Sequence, residues 1–289
     1  MKAIIFGANG QDGPYVAGAC MARGFEPVGV DRNGAGMKAD VAEYNAVTRL
    51  VTEHRPALIV HLAALSTTSH DALFENHAAI STGTLNILEA VYRARLDAKV
   101  FIAGSGVQFQ NTGAPISEES PFAATSPYAV ARIQSVYAAR YFRTLGVKTY
   151  VGYLFHHESP RRPSGHVSRD VVDAVARIAN GAEELLDIGD LTIRKEWTFA
   201  GDVAEAILTL VSQDMHHEAV IGSGELHSIE EWVAQCFSLR GLDWRQYVRT
   251  IHGFKAEYPT LLSDPRRMYS LGWRPKVSFG ALAAMMSGL

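Results

Sequence analysis

Tyr128 and Arg132 stand four residues apart in Ser126-Pro127-Tyr128-Ala129-Val130-Ala131-Arg132. On a helix, that spacing places a phenol and a cation on one face. A nearby cation favours phenolate, so such a tyrosine can exchange a proton with a carbonyl or hydroxyl oxygen. Ser105 follows the apolar run Val100-Phe101-Ile102-Ala103. It therefore lies at the carboxyl end of a buried strand, where open α/β sheets place their ligands. Taken alone, the Tyr-to-Arg spacing reads as the lid of a core beside a surface pair. Joined to Ser105 and to the turn described next, it supports hydride chemistry.

That turn belongs to the first thirty-two residues. Ala3-Ile4-Ile5-Phe6 is an apolar run without polar alternation, as in a parallel strand buried on both faces. Gly7, Asn9, Gly10, Gln11, Asp12 and Gly13 follow in GANGQDG, and Val16, Ala17, Cys20 and Met21 then recur at helical spacing. Pro27 to Val30 restores a strand that ends on Asp31-Arg32. A glycine-rich turn between strand and helix lets backbone amides approach a pyrophosphate, whose charge the helix N-terminus favours. Asp31 can accept both ribose hydroxyls of NAD and would repel a 2′-phosphate, whereas Arg32 would attract one. The lean is to NAD, with NADP open. Asp40 precedes the next helix, where it either accepts from an adenine amino group or caps the helix.

Beyond these residues, strands and helices alternate as in a parallel sheet. Helices are expected at 43–55, 72–95 and 127–145, and strands at 57–62, 100–103 and 149–155. The fold class is α/β, a doubly wound Rossmann-type parallel sheet with a smaller C-terminal α+β substrate domain. Ser159-Pro160-Arg161-Arg162-Pro163 ends the regular alternation. The dinucleotide domain is therefore expected at 1–158, with 198–215 returning to it and 159–289 mostly building the substrate side.

The chain has 289 residues, 47% hydrophobic and 20% charged, enough for one large unit or two domains sharing a core. A net charge of -3 gives no reason to expect nucleic acid or an anionic membrane. Cys20 and Cys236 form no metal pattern or disulfide framework and read as buried thiols. His156-His157 and His216-His217 are adjacent pairs whose side chains diverge, so no metal site is expected. No apolar stretch approaches a membrane span, and a strand starting this near the N-terminus leaves no room for a signal peptide, so cytoplasm is the expected location.

GANGQDG at 7–13, GTLNILEA at 83–90 and ISEESPFAATSPYAVAR ending at Arg132 resemble an extended short-chain dehydrogenase/reductase. His157-Glu158-Ser159-Pro160-Arg161-Arg162, Val167-Ser168-Arg169, Gly222 to Ser228 and Leu271-Gly272-Trp273-Arg274-Pro275 are more specific. They are similar to the GDP-mannose 4,6-dehydratases and the GDP-4-keto-6-deoxy-mannose reductases. The resemblance implies that Ser105 hydrogen-bonds the reacting sugar oxygen and Tyr128 moves its proton, with Arg132 beside them. It implies cofactor contacts at Val41, Leu62, Ala63, Ala64 and Leu154 as well as at the turn. Arg161, Arg162 and Arg169 are candidates for the substrate diphosphate, because guanidinium forks match phosphate oxygens. The alternative is a pairing with Glu158 or Asp170, and at least one of the three is expected to be structural. His156, Glu158, Val167, Lys195 and Glu257 complete the expected GDP-sugar site; Arg194 to Trp197 resembles another nucleotide-contacting stretch, in which Trp197 reads either as a contact or as core. Relatives pair helices 72–95 and 127–145 into a homodimer, which Tyr137, Tyr141 and Phe142 would serve here.

Departures from the family pattern bear on activity. The family has a lysine where Arg132 stands; it contacts the nicotinamide ribose. An arginine keeps the charge but cannot release a proton. Dehydratases carry a basic glutamate two residues after the hydroxyl residue, where this chain has Val107. Ile80 replaces an asparagine, and Phe254 an arginine offered to the nucleotide. The expected activity is reduction of a keto GDP-hexose, followed by an internal-redox dehydratase or epimerase with another base, then a catalytically impaired binding protein.

Overall fold

The computed structural model describes residues 1–34, 36–254 and 256–289. The first apolar run forms β1 (Lys2–Phe6), and the glycine turn feeds α1 (Gly13–Ala22). Then come β2 (Glu26–Asp31), a two-residue β3 (Met37–Lys38), α2 (Tyr44–His54) and β4 (Leu58–His61). The stretch 72–95 is helical but not uniform. A 3-10 turn, His70–Ala72, leads into α3 (Leu73–Asn76), a π-helical segment (His77–Thr82) and α4 (Gly83–Arg93). The wider segment is stitched to the next long helix. Ser135 Oγ donates to the Ile80 carbonyl at 3.2 Å, and Ser81 Oγ to Gln134 at 2.6 Å. A side chain inserted into the helical ladder is a common cause of such a departure.

The chain continues through β5 (Lys99–Ser105), α5 (Pro127–Thr144), β6 (Lys148–Leu154) and β7 (His157–Glu158). Beyond the Pro-rich stretch lie α6 (Val167–Ala179), β8 (Leu186–Ile188), β9 (Arg194–Lys195) and β10 (Thr198–Phe199). The chain then returns through α7 (Ala200–Val211) to β11 (Glu218–Ile221), so the returning segment reaches past residue 215. One seven-stranded sheet results, ordered β11-β6-β5-β4-β1-β2-β3, and every ladder in it is parallel.

Strand alternation divides the core into two layers. Ile4, Phe6, Ile59, Val100 and Ile102 face α2, α4 and α5. Ala3, Ile5, Val60, Phe101 and Ala103 face α1 and α7. Cys20 is buried in the second layer. A third cluster holds α6, Cys236 and the stacked indoles of Trp197 and Trp232, 4.4 Å apart. Trp197 is therefore core. Phe142 is only 6% exposed and packs inward, unlike Tyr137 and Tyr141 on the same helix at 58% and 60%. Among the described residues no helix is long and apolar enough to cross a membrane.

Candidate functional site

The strand order reverses between β4 and β1, the crevice where doubly wound sheets hold dinucleotides. Gly7 has φ +85°, and a Cβ there would lie 2.7 Å from the Ala63 amide nitrogen. A Cβ on Gly13 would lie 2.2 Å from the Ala8 carbonyl oxygen. Both positions require glycine, so the turn packs tightly against the strands. A cavity of about 140 Å³ opens beside it, lined by Gly7, Gly10, Asp31, Arg32, Asp40, Val41, Leu62, Ala63 and Ala64. The Asp31 carboxylate accepts the amides of Arg32 at 2.8 Å and Asn9 at 3.2 Å, which fixes it at the cavity mouth. Asp40 accepts from the Ala42 amide at 2.9 Å, while Glu43 is the cap residue of α2. Its helix-cap reading is thereby corrected: two residues intervene between it and the cap position. Glycines that a Cβ would break, an acid closing β2 and a helix N-terminus fit a dinucleotide.

Tyr128 opens α5, where Pro127 occupies the first turn and the Ser126 hydroxyl accepts from the Ala129 amide at 3.2 Å. Arg132 is 4% exposed. One arm of its guanidinium donates to the Tyr128 phenol oxygen at 3.0 Å, and the other to the Ala103 carbonyl. The helix bearing the tyrosine is thus tied to the strand bearing Ser105. Ser105 caps a short 3-10 turn, Gly106–Gln108: its amide donates to Gln108 Oε1 at 2.8 Å, and its hydroxyl accepts from the Val107 amide at 3.4 Å. Gln108 is not among the expected site residues, although Ser-x-x-Gln is a capping-box spacing. Val107 is half-buried. His61, at the end of β4, is buried, and neither ring nitrogen has a well-formed hydrogen bond among the described residues; burial, then the Arg132 charge, push it down to about 4.

A second cavity, about 380 Å³, lies among α6, β8 and β9, and Val167, Asp170, Lys195, Phe254 and Glu257 line it. Burial pushes Lys195 down to about 8, against the pull of Glu158. Phe254 packs on Gly189, where a Cβ would lie 2.7 Å from its ring. Glu257 accepts from the Thr68 hydroxyl at 3.2 Å.

The arginines divide. Arg162 Nε donates to Glu158 at 2.7 Å, and its fork also reaches the His157 carbonyl. The other Glu158 oxygen lies 2.8 Å from His156 Nε2, whose Nδ1 is 2.7 Å from the Glu196 carbonyl. Burial opposes a charge on Glu158, but His156 and Arg162 outweigh it and hold the carboxyl below its ordinary range. Glu158 and Arg162 therefore satisfy one another, 1% and 11% exposed. Arg169 pairs with Asp173 at 2.7 Å rather than with Asp170. Arg161 is exposed. Leu154 ends β6 beside Ser105 in register, half-buried. Glu196, also outside the expected set, is fully buried and accepts the amides of Ser223 at 2.6 Å and Ser263 at 2.5 Å. Asp12 and Gln11 of the turn bond to His157, whose ring lies 3.0 Å from the Asp12 carboxylate.

The model of the family described as GDP-mannose 4,6 dehydratase matches residues 4–286. GDP-mannose 4,6 dehydratase 2 of Arabidopsis thaliana is 32% identical over 98% of this chain and 85% of its own length. Among solved structures, the Thermus thermophilus UDP-glucose 4-epimerase complex with NAD has a TM-score of 0.83 at 24% identity, covering 100% of this chain and 98% of that one. RMD from Pseudomonas aeruginosa, complexed with NADPH, has a TM-score of 0.87 at 19% identity, covering 99% and 96%. At these identities the structural likenesses establish the fold alone.

Proposed function

The chain belongs to the GDP-mannose 4,6 dehydratase family, and from that premise we propose that it is an NAD(P)-dependent oxidoreductase of a GDP-linked hexose, reducing a keto sugar. The observation that carries this reading is the Arg132 guanidinium bonded at once to the Tyr128 phenol oxygen and to the strand that ends in Ser105. A bound dinucleotide supplies the hydride. Tyr128 gives its proton to the sugar oxygen, and Arg132 holds the phenol oxygen in place as it leaves. The Ser105 hydroxyl donates to the same sugar oxygen, so charge developing there meets fixed donors. Arg161 and Lys195 are cations available to the diphosphate, while Val167 and Glu257 border the nucleotide. Residues 159–289 supply most of this substrate side.

Reduction is favoured over dehydration because Gly106, Val107 and Gln108 follow Ser105, and none can act as a base. A 4,6-dehydratase reading is favoured by the names of the relatives. One assay separates them. With a GDP-4-keto-6-deoxyhexose, stoichiometric oxidation of the dinucleotide is expected, faster with NADH than NADPH because of Asp31. Conversion of GDP-mannose with solvent deuterium in the product and no net dinucleotide consumption would replace reduction by dehydration.

The exposed Tyr137 and Tyr141, with Leu85 and Tyr92 on α4, form an aromatic and apolar face beyond what the sheet requires. A second copy of the chain would cover it, pairing α4 and α5. Light scattering at micromolar concentration is expected to give the dimer mass; a monomer mass would remove this proposal.

A further inference from the structure

Asp12 immediately precedes α1, and its backbone is already helical at φ -87° and ψ -27°. An aspartate that caps a helix from extended backbone folds its carboxylate back onto the first-turn amides. This one makes no such bond. Its two oxygens each lie 3.0 Å from Nε2 of His157, 145 residues further along the chain. Nδ1 of the same ring lies 2.7 Å from the Phe155 carbonyl oxygen. Both neighbours accept, an arrangement that favours protons on both ring nitrogens, the imidazolium form of His157. Burial opposes that charge, but Asp12 outweighs burial and holds the ring above the ordinary histidine range. Gln11 Nε2 reinforces the arrangement, reaching Asp12 Oδ1 and the His157 carbonyl at 3.3 Å each.

The Val16 amide bonds to the Asp12 carbonyl at 2.9 Å, whereas the amides of Gly13 and Tyr15 have no acceptor among the described residues. Such amides are what a diphosphate takes at a helix N-terminus. A carboxylate at Asp12 has the same charge and is tethered to the spot, so it is a built-in rival. Resting on the dinucleotide reading above, we propose that His157 is a positioning residue: it draws the Asp12 carboxylate off the N-terminus of α1 and keeps those amides available to the cofactor diphosphate. The charged groups facing His157 are Asp12 from the turn and Arg162 from beyond β7. Arg162 is itself matched by Glu158.

A double-variant cycle tests this, with NAD and NADPH affinities read by calorimetry on His157→Asn, Asp12→Ala and the pair. Asparagine retains a donor for the Phe155 carbonyl but cannot reach Asp12. H157N is expected to weaken binding about tenfold, about 1.4 kcal/mol, the scale of an N-cap bond gained by the released acid. In the D12A background the same change is expected to cost less than about twofold, because no rival remains. A tenfold loss in both backgrounds, or none with Asp12 present, would overturn the proposal. Should H157N fail to fold, the native chain carries the test. Its affinity is expected to fall as rising pH deprotonates His157, while that of D12A stays level. A native affinity unchanged up to about pH 9.5, beyond any ordinary histidine titration, would also overturn it. A native chain that binds neither dinucleotide would instead defeat the reading on which the inference rests.

Discussion

Tyr128→Phe is expected to lower kcat by roughly 10²–10⁴-fold, the range for losing a positioned proton donor. The substitution removes one oxygen and leaves the ring against the Arg132 guanidinium, whose carbon lies 4.9 Å from the ring centre. Dinucleotide affinity is therefore expected to hold while turnover collapses. The buried guanidinium loses an acceptor, so a modest fall in Tm should accompany the change. Steady-state kinetics with a keto GDP-sugar, paired with a melt, check both parts. Turnover within about threefold of the native rate, at unchanged Tm, would remove Tyr128 from the chemistry.

Arg132 makes this result informative. A lysine at its position has one ammonium to aim, whereas this arginine bonds to the phenol and to the Ala103 carbonyl together. It cannot pass a proton on. The tyrosine must then be resupplied from elsewhere, and His61, buried on the end of the adjacent strand, is held neutral rather than cationic.

The second large effect concerns stability. Glu158→Ala is expected to cost about 3–5 kcal/mol, because it strands the nearly buried Arg162 guanidinium without its carboxylate. For a chain of this size that corresponds to a fall in Tm of roughly 6–15 °C. Glu158→Gln keeps one acceptor and should cost less. The sign with pH follows from the depressed folded value of Glu158. Its contribution is complete above the unfolded carboxylate range, about pH 4.3, and is lost as pH falls below that. The gap between native and E158Q melting points should therefore narrow in acid. A Glu158→Ala protein melting within about 2 °C of the native chain would show that the pair contributes little.

The parts of the site carried by local pattern are legible in the sequence. Apolar runs followed by glycine mark β1 and its turn, and the four-residue spacing of Tyr128 and Arg132 becomes a direct bond. Asp31 stands at the end of β2, as its position suggests. Contacts between distant segments are not legible in the same way. Nothing around Asp12 announces a histidine 145 residues further along the chain, and nothing around Glu196 announces the amides of Ser223 and Ser263. Periodicity also fails within a single turn, since apolar spacing through Ile80 does not separate an α-helix from the wider π segment. Phe142 departs from its expected place for a related reason: helix α5 buries more than one stripe, and that ring meets Tyr92 of α4 edge-on inside the core.

The paired indoles described with the third core cluster have an optical consequence. Trp197 and Trp232 lie nearly parallel, the His156 ring meets Trp197 edge-on at 4.9 Å, and the Lys195 ammonium stands 5.2 Å from it. Two chromophores so close share their excitation, and a phosphate arriving at that ammonium would alter the field across one of them. Near-ultraviolet circular dichroism and intrinsic emission should therefore follow sugar-nucleotide docking in the native chain, with no dye attached and no turnover required.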